Sequence, residues 1–187
     1  MPEAMTVSVQ QDDLRQGAGY AHASEPFTHR KLDQQKSRHA RAPNLARITA
    51  HRVARSVVAR VLSDSGIPCI CDESDHTQTT EFCIRVDSGH YIQVRFISNR
   101  PNYRKLLEDV WSFNHRPHHY YVATTSRDEL QSLDMLGYAT RAEMAERVPV
   151  SHGQGRSSYY VYLTDLHPFG QLVTALHAEL QHVKVIP

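Results

Sequence analysis

The sequence predicts an α/β protein with a central mixed sheet flanked by helices. Three observations carry that expectation: a helical apolar stripe over residues 44–63, a strictly alternating β-hairpin over 81–97, and an amphipathic helix over 169–181. The 187 residues suit one domain of ordinary size with a tail, and an apolar fraction of 40% suffices for its core. No apolar run reaches the length of a membrane span, so no membrane partner is expected. The N-terminus lacks a basic region followed by an apolar one, which points away from secretion and toward the cytoplasm.

Residues 1–42 are rich in Gln, Asp, Ser, His and Ala with almost no apolar periodicity, and are expected to be a disordered or loosely attached basic tail. Residues 43–187 then form a single domain. Asn44 can cap a helix running to about Ser63, with Ala50, Val53, Ala54, Val57, Val58, Val61 and Leu62 on one side. Arg52, Ser56, Arg60 and Ser63 occupy the opposite side. Gly66 ends this helix, and Ile67–Cys71 reads as a short strand.

The hairpin over 81–97 is the most informative stretch. Asp87-Ser88-Gly89 suits a three-residue loop with a bulge, in which Gly89 takes the required positive φ. That loop sets Val86 opposite His90, Ile84 opposite Ile92 and Phe82 opposite Val94. The alternate face gathers Arg85 with Tyr91, Cys83 with Gln93, and Glu81 with Arg95. A two-residue loop would mix apolar and polar side chains on one face, and a buried face selects against such a register. Glu81, Gln93 and Arg95 are thereby expected together on a polar sheet face, outside the core, as a candidate phosphate or metal site. A solvated ion pair is the competing account.

Beyond Ile97 the pattern predicts a helix over about 102–113 (Tyr103, Leu106, Leu107, Val110) and a strand over 119–125. Ser126 with Glu129 forms a capping-box pattern that starts a short helix or turn. A strand over 135–139, a second capping box at Thr140 and Glu143, and a strand over 159–163 precede the last helix. The predicted order is α-β-β-β-α-β-(α)-β-α-β-α.

The net charge of +1 conceals an asymmetry. Between Thr28 and Ser63 stand Arg30, Lys31, Lys36, Arg38, Arg41, Arg47, Arg52, Arg55 and Arg60, against the single acid Asp33. Such a block is a local electrostatic footprint whose commonest partner is nucleic acid. Arg38, Arg41, Arg47, Arg52, Arg55 and Arg60 are the candidate phosphate contacts. A solubilising tail with a solvated helix face is the alternative.

Three cysteines, Cys69, Cys71 and Cys83, suit reduced thiols in a cytoplasmic protein. With His76 they could bind zinc, but buried small apolar residues are the better account of their spacing. His115, His118 and His119 read as a loop cluster around Pro117. Trp111, Tyr120 and Tyr121 read as core rather than as base-stacking platforms, and His152 and His167 find no partners in the pattern.

The order helix, three strands with a polar hairpin face, helix, strand resembles the core of the restriction-endonuclease-like, or PD-(D/E)xK, nuclease superfamily. Ile92-Gln93-Val94-Arg95-Phe96 looks like the family's third-strand motif, and Glu81 stands near its Asp. The segments 136–143 and 158–163 resemble the tails of some prokaryotic and phage nuclease-like proteins, so the likeness spans roughly 45–182. It implies hydrolysis of a phosphodiester with Mg²⁺ or Mn²⁺ held by Glu81 and Gln93, Arg95 near the phosphate and Asp87 as a reserve carboxylate. All three motif positions depart from the family: Glu81 for Asp, Gln93 for Glu, Arg95 for Lys. An amide oxygen is a weaker ligand for a hard cation, and a guanidinium makes a poor base.

Three functions are therefore expected to compete. The first is a metal-dependent nuclease acting on nucleic acid, DNA above all. The second is an inactive nucleic-acid-binding protein on the same core. The third is a protein-binding accessory or inhibitory factor. The sequence leaves the oligomeric state open, a homodimer included.

Overall fold

The computed structural model describes residues 3–19, 41–71, 83–98, 104–116, 118–153 and 155–183. Along them run β1 (Met5–Ser8), α1 (11–19), α2 (Arg41–Asp64), β2 (Cys69–Cys71), β3 (Cys83–Val86) and β4 (Tyr91–Phe96). There follow β5 (Lys105–Asp109), α3 (Val110–His115), β6 (Tyr120–Thr125), β7 (Ser132–Thr140), α4 (Arg141–Ala145), β8 (Val150–Ser151), β9 (Ser157–Tyr162) and α5 (Phe169–Val183). These elements make a mixed α/β fold. Six strands form one sheet in the order β1-β7-β6-β4-β3-β2, and β5-β9-β8 form a second. The pair β4–β6 is parallel and its neighbours in the larger sheet are antiparallel. A parallel pair needs a crossover, and β5 with α3 lie within it.

One face of the larger sheet packs against the apolar stripe of α2 and against α5. Val53, Val57, Val58 and Leu62 meet Ile84, Ile92, Val94, Val122, Leu133 and Met135, with Phe169, Leu172 and Leu176 closing the layer. The end of α2 follows from Gly66 at φ +79°, where the Ile67 N–H donates to Leu62 O and the Gly66 N–H to Ser63 O. This is the paired carbonyl capping that a left-handed glycine permits. The helix begins at Arg41, three residues ahead of Asn44.

The opposite face is covered by β-structure rather than by a long helix. Tyr121, Ala123 and Ala139 of the larger sheet pack with Leu106, Val161 and Leu163, and with Phe113 of α3 and Met144 of α4. The helix expected over 102–113 is thus a strand followed by a six-residue helix. Leu106 and Glu108 alternate inward with period two, and the Asp109 carboxylate accepts the Trp111 and Ser112 N–H groups to start α3. Ser126 and Glu129 produce a turn: the Ser126 hydroxyl accepts the Asp128 and Leu130 N–H groups, while Glu129 and Leu130 take positive φ. The capping box at Thr140 and Glu143 forms as the sequence predicts.

The loose tail expected over 1–42 is corrected for its first part. β1 pairs with β7 from Met5 opposite Met135 to Ser8 opposite Ser132. Asp13 of α1 is buried and accepts from Ser56 at 2.6 Å and from Arg60 at 3.0 Å. Polar residues build the α1 contact, and β1 with the residue after it adds only the short alternation of Val7 and Val9 against the core, too brief to mark a strand by itself. Residues 20–40 lie outside the described residues.

Among the described residues no helix is long and apolar enough to cross a membrane.

Candidate functional site

The hairpin that organises the site has the expected register. Cys83 stands opposite Gln93, Ile84 opposite Ile92 and Arg85 opposite Tyr91. The loop is closed by Val86 N–H to His90 O at 2.8 Å and Gly89 N–H to Val86 O at 2.8 Å, with Gly89 at φ +85°. Glu81 lies outside the described residues.

The face carrying Gln93 and Arg95 is not solvated, contrary to expectation. Gln93 is only 1% exposed, because the second sheet and α3 cover this side. The register is right; what the hairpin could not reveal is the layer laid over it. Arg95 points into the same interface and meets Glu108 of β5. Its Nε and Nη2 donate to Glu108 Oε2 at 3.0 and 2.5 Å, and the Glu108 side chain is 0% exposed. Glu108 was hidden from sequence reasoning by the helix drawn through it. The signal that would have found it is Asp109, a good N-cap residue directly ahead of Val110, which in the structure ends the strand and starts α3.

Around this pair lies a buried polar seam. Gln93 Oε1, Glu108 Oε1, Ser112 Oγ, His118 Nδ1 and Tyr121 OH are buried with no hydrogen-bond partner among the described residues. Gln93 and Tyr121 are neighbours across the parallel pair, and the His118 ring stands edge-on to Tyr121 at 5.9 Å. Burial, reinforced by Arg95, Arg116 and Arg141, pushes the His118 imidazole down to about 3. His51, which accepts the Phe96 N–H at 3.2 Å, is likewise held down to about 3 by burial and by Arg95 and Arg47. Burial and the Glu108 carboxylate drive the Tyr121 hydroxyl upward. The seam therefore places a neutral His118 and an intact Tyr121 phenol beside one ion pair, while His51 stands on the α2 side of the sheet against Phe96.

A hard divalent cation fits the described part of this site poorly. It requires several oxygen donors with negative charge, whereas Gln93 offers a neutral amide and Glu108 is already matched by Arg95. Asp87 is not brought to them. It sits exposed in the hairpin turn, its N–H donating to Pro68 O at 3.0 Å. Tyr91 to Arg95 alone spans about 13 Å of strand. A joint zinc site is also broken up: Cys69 and Cys71 pair with Val86 and Ile84 on the α2 face, whereas Cys83 pairs with Gln93 on the other. Cys69 and Cys71 pack against the apolar core, and His76 is outside the described residues. Among the described residues no three His, Cys, Asp or Glu side chains converge as metal ligands.

The basic residues divide. Arg47 is exposed, but Arg52 and Arg55 are buried, and Arg60 is bound to Asp13 and to Ser8 O at 2.9 Å. The far side of α2 is thus partly an internal face under the N-terminal segment. Arg38 lies outside the described residues, as does the side chain of Arg41.

A cavity of about 380 Å³ opens where α3 ends and β6 begins, lined by Asn114, His115, Arg116, His118, His119 and Arg141. Arg141 is fixed there by Phe113 O at 2.5 Å and Arg116 O at 3.0 Å, with its guanidinium over the Phe113 ring. Trp111, expected in the core, is 54% exposed and stacks on His115 at 4.7 Å. The helix that would have buried it begins only at Val110, which turns it outward. Tyr121 is core as expected, while Tyr120 donates to Glu179 at 2.7 Å. His167 does have a partner, Glu143 Oε1 at 2.5 Å from Nε2.

No protein-family model matches the chain, and no curated protein or solved structure matches it either.

Proposed function

We propose that this chain binds nucleic acid on a restriction-endonuclease-like core and does not hydrolyse it. The chain order is α2-β2-β3-β4-β5-α3-β6, with β4 parallel to β6; apart from β5, inserted ahead of α3, it follows the α-β-β-β-α-β order of that superfamily. Gln93 and Arg95 stand at the positions its third-strand motif would use. The observation that carries the reading is the Arg95–Glu108 pair. A guanidinium that neutralises a fully buried carboxylate competes with any cation for that carboxylate, so the seam favours structure over metal-assisted hydrolysis. Binding then relies on exposed cations such as Arg47 and on the cationic cavity beside α3. A cytoplasmic setting, with Cys69, Cys71 and Cys83 outside any disulfide, belongs to the same reading.

The test combines fluorescence anisotropy on labelled single-stranded DNA, duplex DNA and RNA with a cleavage assay in Mg²⁺ and in Mn²⁺. Affinity that falls steeply with salt, with strands left intact, is the expected result. Cleavage that Glu81→Ala abolishes would return the chain to the nucleases, with Glu81 and Gln93 as metal ligands. Absence of affinity for all three polymers at low salt would favour a protein-binding accessory factor.

A further inference from the structure

The open cavity at the end of α3 gathers a distinctive set of side chains. Its six lining residues include two guanidinium side chains and three imidazoles, and no carboxylate. One of them, His118, is 1% exposed, and its Nδ1 has no hydrogen-bond partner among the described residues. Another, Arg141, is held rigidly by backbone carbonyls of Phe113, Arg116 and His118, so its charge is in place before any ligand arrives. The His119 ring is oriented too, because its Nδ1 accepts the Tyr91 N–H at 3.1 Å, which leaves the proton on Nε2. Beside the cavity, His115 forms one wall and carries the exposed Trp111 ring stacked nearly parallel to it, 19° between planes.

Pre-set cations, ring N–H donors and an exposed indole next to them match the chemistry of one nucleotide: a phosphodiester and a flat base. We propose that this cavity binds a backbone phosphate of single-stranded nucleic acid, and that Trp111 stacks the adjoining base. Duplex is disfavoured because its bases are already stacked and paired away from the indole. The field of Arg95, Arg116 and Arg141 that, after burial itself, holds His118 below the ordinary imidazole range is the same field an anion would enter. The inference rests on the nucleic-acid reading above and names the subsite and strandedness within it.

Trp111 is the only tryptophan in the chain, so intrinsic fluorescence reports on this place alone. The full-length protein is titrated with a ten-residue oligothymidylate and with a duplex of equal length, following both tryptophan emission and the anisotropy of labelled strands. Saturable quenching by the single strand, with at least about five-fold weaker binding in Arg116→Gln and in Trp111→Leu, is the expected result; a stacked base contributes on the order of 1–3 kcal/mol. Circular dichroism and thermal unfolding of both variants establish that they are folded. Binding by anisotropy with unchanged tryptophan emission and unaffected variants would overturn the subsite and leave the nucleic-acid reading standing. Equal quenching by duplex would overturn the single-strand assignment. No binding of any nucleic acid would overturn both.

Discussion

Arg95 and Glu108 come from strands of different sheets, and two guanidinium nitrogens of the one converge on a single carboxylate oxygen of the other. The contact ties β4 to β5 across the interface that hides Gln93. It also shows why the hairpin's polar face is structural: its cation is matched from the layer above it.

Breaking that pair should be costly in an ordered way. Arg95→Ala strands a buried carboxylate and should lower unfolding free energy by roughly 3–5 kcal/mol. Glu108→Gln should cost less, since the Arg95 side chain keeps 18% exposure and can turn toward water. The double change Arg95→Met with Glu108→Leu should be milder than Arg95→Ala. Urea midpoints at constant slope provide the measurement, and a double variant worse than both singles would mean the pair contributes net stability.

Gln93→Glu separates the structural from the catalytic reading. A carboxylate at this buried position should destabilise by at least about 2 kcal/mol at neutral pH. Its folded-state ionisation would be pushed up by burial, so the deficit should shrink as pH falls toward 4. Thermal unfolding with and without 5-fold steps of Mg²⁺ checks this. Rescue by Mg²⁺ at neutral pH would instead indicate a cation site completed by the new carboxylate.

The buried histidines predict acid sensitivity. His51 and His118 have folded-state values near 3 against 6.5 when unfolded. Below about 6.5 the unfolded chain takes up protons that the folded one refuses, so stability present above that value is lost as pH falls toward about 3. The slope should approach about 1.4 kcal/mol per pH unit for each histidine. His118→Gln should flatten the profile of melting temperature between pH 6 and 4, and an unchanged profile would place its ionisation elsewhere.

Two glycines should respond differently to alanine. Gly89 has φ +85° with open space around it, so Gly89→Ala should cost only about 1–2 kcal/mol of backbone strain. At Gly137, φ +136°, a Cβ would lie 2.4 Å from His167 O, where Tyr138 and His167 form a two-way backbone bridge. Gly137→Ala should therefore cost about 3 kcal/mol or more, since strain and overlap add. Chemical denaturation of both variants tests the order; equal effects would contradict the close passage of 166–167 against β7.

By itself the sequence determined whatever depends on local periodicity and turn chemistry. The hairpin register followed from Gly89 and alternation, the end of α2 from Gly66, the start of α4 from Thr140 and Glu143, and α5 from its leucine spacing. Each of these is decided by residues within a few positions of one another. Only the tertiary structure decided what lies over a face once it has formed. It made Lys105–Asp109 a strand, buried Gln93, supplied Glu108 to Arg95, turned Trp111 outward and folded residues 5–19 back onto β7 and α2. Burial and ion pairing join residues far apart in the chain, and a side chain's own neighbours carry no record of the layer that will cover it.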